Sequence, residues 1–166
     1  MTGNTLFDSQ RMFKHACAFF DCAKFCETEP QNINMGVCTH LVADIVNSAF
    51  ACEVFIKSLL IFNKLTLEDI RGHKLKDLWT KYKEIDNERA LLIEKTVNEF
   101  FGNDEEFVFG ESLENVSDAF VNWRYIYEKH SGSIHLQFLR IFREILREHC
   151  CKEIYKMTWK EFEGRE

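Results

Sequence analysis

The sequence predicts an all-α protein, a single-domain bundle of about five to six mostly antiparallel helices. The chain has 166 residues but only one proline and seven glycines, which leaves little material for the turns of an all-β fold. Its apolar residues recur at spacings of three and four, the period of amphipathic helices. Sixteen phenylalanines further predict a core built largely from aromatic rings. Residues 1–166 suffice for one such domain.

The charge, the N-terminal segment and the cysteines indicate which kinds of partner and which cellular compartment to expect. A net charge of −6 argues against binding a polyanion over the whole surface, but it allows a local basic patch. The sequence begins without a basic segment and following apolar stretch, so we expect no signal peptide. No uncharged apolar run reaches the roughly 18 residues that span a bilayer, so no membrane contact is expected. The seven cysteines are then expected to be reduced thiols in a cytoplasmic protein.

The first predicted helix begins near Asp8 and ends before Pro30. His15, Cys22 and Cys26 share one face of it, which raises the question of a metal site. Their spacing differs from the Cys-x-x-Cys of a zinc knuckle, and no second ligand pair is evident. We therefore interpret the face as a core stripe with a partly buried His15, and predict neither a metal nor another cofactor.

The second predicted helix, residues 36–62, is the longest. Ser48 lies within its apolar face, where its hydroxyl is expected to bond to the carbonyl of Asp44 one turn earlier. Glu53 and Lys57 stand four residues apart in the order that favours an intrahelical ion pair. This helix is thus expected to carry both core residues and fixed charges.

Three further helices are predicted between this one and the last helix, and the first of the three begins after Gly72. Gly72 ends one segment, and His73 lies at the junction, where a cap or an interhelix hydrogen bond is expected. A helix over residues 84–101 precedes an acidic loop, 102–106, and another begins near Ser112 and ends before Ser131.

The last predicted helix covers residues 134–157. Arg140, Arg143 and Arg147 recur along it and are interleaved with Glu144 and Glu148. Mixed signs of charge favour a solvated outward face over a phosphate-binding one.

Residues 118–130 concentrate aromatic and chemically active side chains. Phe120, Trp123 and Tyr127 fall on one helical face and are predicted to be core residues, although exposed aromatics could instead stack on bases. Arg124 lies at the edge of that face, with Glu128 one turn ahead as an ion-pair partner.

Three motifs in order resemble the HEPN domains, small helical proteins of bacterial and archaeal defence, toxin–antitoxin and nucleotidyltransferase-associated systems. Residues 51–60 are similar to the family's Ala-x-Glu-x-x-x-Lys-x-x-Leu pattern. Residues 72–78 are similar to its Gly-His-x-Leu-x-x-Leu segment. Arg124 followed by His130 fits its pattern of an arginine, four to six residues and a histidine.

The resemblance implies a metal-independent endoribonuclease whose site forms across a homodimer interface. His130 would be the general acid and base, and Arg124 would bind the phosphate. The implied partners are RNA, a second copy of the chain, and an antitoxin or nucleotidyltransferase. The candidate binding residues are Asn122, Tyr125, Glu53, Lys57 and His73.

Two features keep alternatives open. Tyr125 stands where the family usually has a small polar residue. On a continuous helix, Arg124 and His130 would lie about 120° apart and about 9 Å along the axis, so the helix must unwind for them to converge. The alternatives are a non-catalytic HEPN-like module that binds a partner protein, nucleotide or RNA, and a helical scaffold.

Overall fold

A computed structural model of the chain describes residues 5–28, 40–102, 106–128 and 132–165. These residues form helices and connecting turns with no strand, which confirms the all-α prediction. The helices are α1 (Thr5–Thr28), α2 (Leu41–Phe62), α3 (Leu75–Ile85), α4 (Asn87–Phe100), α5 (Phe109–Val116), α6 (Ala119–Arg124), a 3₁₀ turn (Ile126–Glu128), α7 (Leu136–Tyr155) and α8 (Trp159–Glu163).

The helix α1 packs against α2 in antiparallel orientation. Phe13 contacts Phe55 with ring centroids 5.7 Å apart, and further along α1 Phe19 contacts the earlier residue Phe50 at 4.5 Å. The pair buries the face of α1 that carries Phe13, Ala16, Phe20 and Ala23.

The helix α7 runs parallel to α2 and completes the centre of the bundle. Arg143 contacts Ser48 near the start of α2, and Cys150 contacts Ser58 near its end. The core around this pair is aromatic, as predicted: a contiguous set of rings is formed by Trp79, Phe109, Phe138 and Phe142.

The helix α2 is also long and apolar enough, by length and composition, to cross a membrane. However, 72% of its apolar window is buried inside the protein. Its composition is therefore accounted for by its place between α1 and α7.

The predicted core stripe on α1 was wrong by about one residue in helical phase. His15 and Cys22 are exposed, and Cys26 is only half-buried. Within the part of the chain that the structure describes, no group of three or more His, Cys, Asp or Glu residues could hold a metal ion.

The predicted helix from Ser112 to Ser131 is divided. The helix α5 ends at Val116, and α6 covers only Ala119–Arg124. Ser117, at the break, accepts hydrogen bonds from the backbone N–H groups of Leu75 (3.1 Å) and Lys76 (3.0 Å). The break thus supplies the cap that the first turn of α3 lacks on its own.

Two other predicted boundaries were also wrong. Asp86 accepts a hydrogen bond from the backbone N–H of Arg89, so the predicted helix 84–101 begins only at Asn87. The last long helix stops at Tyr155, because Lys156 adopts a left-handed conformation with φ 58°. Thr158 then starts α8 with a reciprocal capping box.

Candidate functional site

The buried carboxylate of Glu53, in the motif of residues 51–60, contacts His73 in the motif of residues 72–78. Glu53 is 1% exposed, and its Oε1 accepts from Lys57 Nζ at 2.7 Å, as its spacing in the sequence predicted. His73 Nδ1 lies 3.0 Å and 3.2 Å from the two oxygens of the same carboxylate. The expected interhelix hydrogen bond of His73 is therefore present, and its partner is Glu53.

The ring of Phe120 contacts both His73 and Arg124, the first residue of the third motif. Its ring stacks on Phe50, with centroids 4.7 Å apart and planes at 23°. The His73 ring lies 5.6 Å from the Phe120 centroid, and the Arg124 guanidinium carbon lies 5.0 Å from it. We call Glu53, Lys57, His73, Phe120 and Arg124 the Phe120 cluster.

Arg124 is exposed and is held by aromatic rings rather than by a carboxylate. Its guanidinium also lies 4.7 Å from the centroid of Tyr125, in addition to the contact with Phe120. No ion pair joins it to Glu128 or to another acidic residue within the described ranges, so the pair with Glu128 that the spacing offered as an alternative to catalysis is not formed. The reason is geometric, because α6 ends at Arg124 and Glu128 lies on a 3₁₀ turn with a different phase.

The aromatic residues that follow Arg124 are exposed. Tyr127, predicted to be core, is 76% exposed, and Tyr125 is 39% exposed, with the two ring centroids 6.3 Å apart. Trp123 is half-buried and packs against the core, as predicted. The end of α6 accounts for the error, since a helical face predicted from spacing does not continue past Arg124. The result is a surface of one arginine and two tyrosines.

The remaining candidate site residues from this part of the sequence are Asn122 and His130. Asn122 is exposed on α6, in the same short helix as Phe120 and Arg124. His130, the predicted acid–base residue, lies outside the described residues. The Phe120 cluster therefore contains five described residues, of which Phe120 was predicted only as a core residue.

A cavity of about 320 Å³ opens beside this cluster, between α1, α2 and the segment after α2. Phe50 connects them, since its ring both lines the cavity and stacks on Phe120. The walls are mostly apolar with a charged edge: Asp8, Arg11, Met12, His15, Phe19, Phe50, Val54 and Leu67. The sequence offered no periodic signal for it, because the lining comes from three separate segments.

A second polar cluster lies on the other side of α2. Arg143, predicted to face outward, is fully buried and donates to Ser48 Oγ (2.7 Å) and Glu27 Oε2 (2.9 Å). Ser48 Oγ donates to Asp44 Oδ1 at 2.9 Å. The predicted acceptor, the backbone carbonyl of Asp44, was therefore wrong. Arg140 completes the group through a hydrogen bond to Asp44. We call these five residues the Arg143 network.

The error over Arg143 has an identifiable cause. Arg143 shares a face with Leu139, Leu146 and Cys150, which are all buried, and spacing alone could have placed it there. Arg147 is not a solvated residue either, since its guanidinium lies 3.6 Å from the ring centroid of Phe20 and 4.3 Å from that of Trp159.

Charge in the Arg143 network affects Glu27. Partial burial raises the pKa of the Glu27 carboxyl, but the hydrogen bond from Arg143 and the charges of Lys24, Arg143 and Arg140 outweigh it. The net result is a pKa below the ordinary value of 4.5. Glu27 is thus held ionised against Arg143.

In chemical terms, the Phe120 cluster can bind an anion and exchange a proton. Its Arg124 guanidinium has no carboxylate partner among the described residues, and its His73 imidazole is exposed. The charged groups of the Arg143 network pair with one another, and Arg143, Asp44 and Ser48 are buried, so the network serves the packing of α1, α2 and α7. Comparison of the chain with known family models, curated proteins and solved structures found no match.

Proposed function

We propose that this protein is a HEPN-like domain that binds RNA and cleaves it without a metal ion, as a toxin or defence effector. Arg124 binds the scissile phosphate, and His130 transfers protons. In this proposal a second copy of the chain completes the site, and an antitoxin or nucleotidyltransferase is the regulatory partner. The motif order in the sequence supports the family, and the surroundings of Arg124 support the chemistry.

The observation that carries the proposal is the state of Arg124. Its guanidinium is exposed and lies over two aromatic rings, at 5.0 Å from Phe120 and 4.7 Å from Tyr125. Stacking restricts the planar group while its N–H edges stay available, which suits bidentate binding of a phosphate. No acidic residue in the described ranges occupies those edges.

Tyr125 and Tyr127 add the second property that RNA binding needs. Unpaired bases stack on exposed aromatic side chains, and each such contact contributes about 1–3 kcal/mol to binding single strands. A local arginine–tyrosine surface is also compatible with a net charge of −6, because it needs no basic surface elsewhere.

The experiment is cleavage of mixed RNA by the purified chain in EDTA, beside Arg124→Ala and His130→Ala. We expect the wild type to leave 2′,3′-cyclic phosphate ends and each variant to lose about 100-fold or more in rate. Arg71→Ala is the control, since Arg71 is exposed and forms an ion pair with the exposed Glu68. Cleavage that survives both substitutions, or that requires a metal, contradicts the proposal.

The second candidate is a non-catalytic module that binds a nucleotide, RNA or a partner protein. The cavity of about 320 Å³ beside Phe50 favours it, because a volume of this size accepts a small ligand. RNA binding without cleavage, measured in the same samples by fluorescence anisotropy, would select this candidate.

A further inference from the structure

We propose that His73, oriented by Glu53, is a second acid–base residue for RNA cleavage and acts beside Arg124. The inference rests on the proposed ribonuclease function and extends it, because a histidine outside the Arg124–His130 motif then takes part in the chemistry. It is carried by the geometry of the Phe120 cluster.

The contact with Glu53 determines which nitrogen of His73 is available. A carboxylate can only accept hydrogen bonds, so Nδ1, at 3.0 Å and 3.2 Å from its oxygens, carries the proton and donates. Nε2 then holds the lone pair in the neutral ring and can accept a proton. A carboxylate behind a histidine fixes its tautomer and orientation in this way in many enzymes.

Burial makes Glu53 a rigid support. Its side chain is 2% exposed and is also held by Lys57 at 2.7 Å, whereas the side chain of His73 is 56% exposed. One edge of the imidazole is therefore fixed from inside the protein while the remainder meets solvent. An ordinary surface histidine lacks such a buried partner.

Phe120 is a common neighbour of His73 and of Arg124, the proposed phosphate ligand. The imidazole centroid lies 5.6 Å, and the Arg124 guanidinium carbon 5.0 Å, from the centroid of this one ring. Phe120 is itself stacked on Phe50 of α2, the helix that carries Glu53. The same helix thus supports both groups.

The reaction needs two proton transfers, which gives a second histidine a role. A base removes the 2′-OH proton, the 2′-oxygen attacks phosphorus, the bond from phosphorus to the 5′-oxygen breaks, and an acid protonates that oxygen. The products are a 2′,3′-cyclic phosphate and a 5′-hydroxyl, with no water consumed. His73 supplies one of these proton transfers and His130 the other.

The test compares His73→Asn and His73→Gln with the wild type in cleavage of a single-stranded RNA oligonucleotide in EDTA. We expect either variant to lower kcat/KM by about 100-fold or more. Binding of a 2′-O-methyl RNA of the same sequence, which cannot react, is expected to stay within about twofold. His135→Asn is the matched control, because the Nδ1 of His135 is likewise hydrogen-bonded, to Ser112 Oγ at 2.9 Å.

A pH–rate profile distinguishes proton transfer from a positional role. The wild type should give a bell-shaped profile, and His73→Asn should lose one limb of it. His73 contacts Glu53, which is paired with Lys57. Lys74, which follows His73 in sequence, pairs with Asp118, and Arg124 contacts the same Phe120 ring as His73. Their substitution would shift a limb, whereas loss of His73 removes it.

The outcomes separate the inference from the function on which it rests. Full cleavage by both His73 variants, with both limbs of the profile intact, overturns the role of His73 and leaves the ribonuclease function standing. A wild-type chain that binds RNA without cleaving it overturns both. Binding of the 2′-O-methyl RNA that is weakened enough to account for the whole rate loss assigns His73 to binding and overturns its acid–base role.

Discussion

The guanidinium of Arg143 donates to the hydroxyl of Ser48 across 2.7 Å in the interior of the bundle, with no part of the arginine side chain exposed. The same guanidinium donates to Glu27 on α1, so one side chain of α7 holds the two other central helices. A buried charge of this kind is tolerated only when its partners are in place, since desolvation costs several kcal/mol per ion.

Replacement of Arg143 by methionine is expected to lower the free energy of unfolding by about 3–5 kcal/mol, because a buried ion pair loses one partner. Urea-induced unfolding followed by circular dichroism measures it. Arg71→Met is the control, since Arg71 and Glu68 form an exposed pair, and its unfolding midpoint should not change. Equal midpoints for both variants would contradict the structural role of Arg143.

The stability contributed by Glu27 should depend on pH. Its pKa in the folded protein is lowered below 4.5, so the folded state binds this proton less well than the unfolded chain. The contribution is therefore complete above pH 4.5 and is lost as the pH falls through the folded pKa. Glu27→Gln should lower stability at pH 7 and flatten its decline in acid.

Unfolding midpoints in urea between pH 7 and pH 3 would measure this effect. Glu84→Gln is the control, because Glu84 is exposed at the surface. It should follow the wild-type curve. A Glu27→Gln curve parallel to that of the wild type at every pH would contradict the coupling to Arg143.

Two glycines should respond to alanine with opposite signs. Gly72, immediately before His73, has φ +106°, where a side chain is strained even though no atom lies within 4 Å of the added Cβ. We expect Gly72→Ala to cost about 1–2 kcal/mol. Gly110 is the second residue of α5 and has open space around it, so Gly110→Ala should stabilise by up to about 1 kcal/mol. Thermal unfolding of both variants checks the signs, and a stabilised Gly72→Ala would refute the turn geometry.

The cysteines should differ widely in reactivity. Burial raises the pKa of the Cys52 thiol to about 12 and that of Cys151 to about 11, and it raises the pKa of Cys150 as well. Because the thiolate is the reactive form, these three should be labelled only after unfolding. Cys22 is exposed on α1 and should be labelled in the folded protein. Timed labelling with iodoacetamide at pH 8, with peptide mass spectrometry, resolves each site.

Labelling of Cys52 as fast as Cys22 under native conditions would contradict this prediction. Cys22→Ser supplies the control, since it should remove the rapid modification on α1 and leave the protection of Cys52, Cys150 and Cys151 unchanged.

Features that depend on residues close in sequence were predictable. The Glu53–Lys57 pair was predicted because a spacing of four brings side chains together on any helix. The bond of His73 to another helix was expected from its place at a junction, but Glu53, twenty residues earlier, could not be identified as the partner. Periodicity gave no information on that pairing, because it depends on how α2 and the start of α3 pack.

Features near the ends of helices were the least predictable. Tyr127 and Glu128 were assigned by extending one helical phase from Phe120 onward, and that phase ends at Arg124. At the other break, Ser117 accepts hydrogen bonds from the start of α3, a tertiary contact that the local sequence does not reveal. Arg143 was assigned from its charge, although its spacing placed it among apolar residues.

By itself, the sequence determined that the protein is helical, that its core is aromatic, and that its three motifs resemble one family. Those properties follow from composition and from spacing along single helices. Only the tertiary structure decided that Glu53 orients His73, that Phe120 joins His73 to Arg124, and that Arg143 is buried. Each of these depends on contacts between segments far apart in the chain, where packing and desolvation, rather than local period, select the partner.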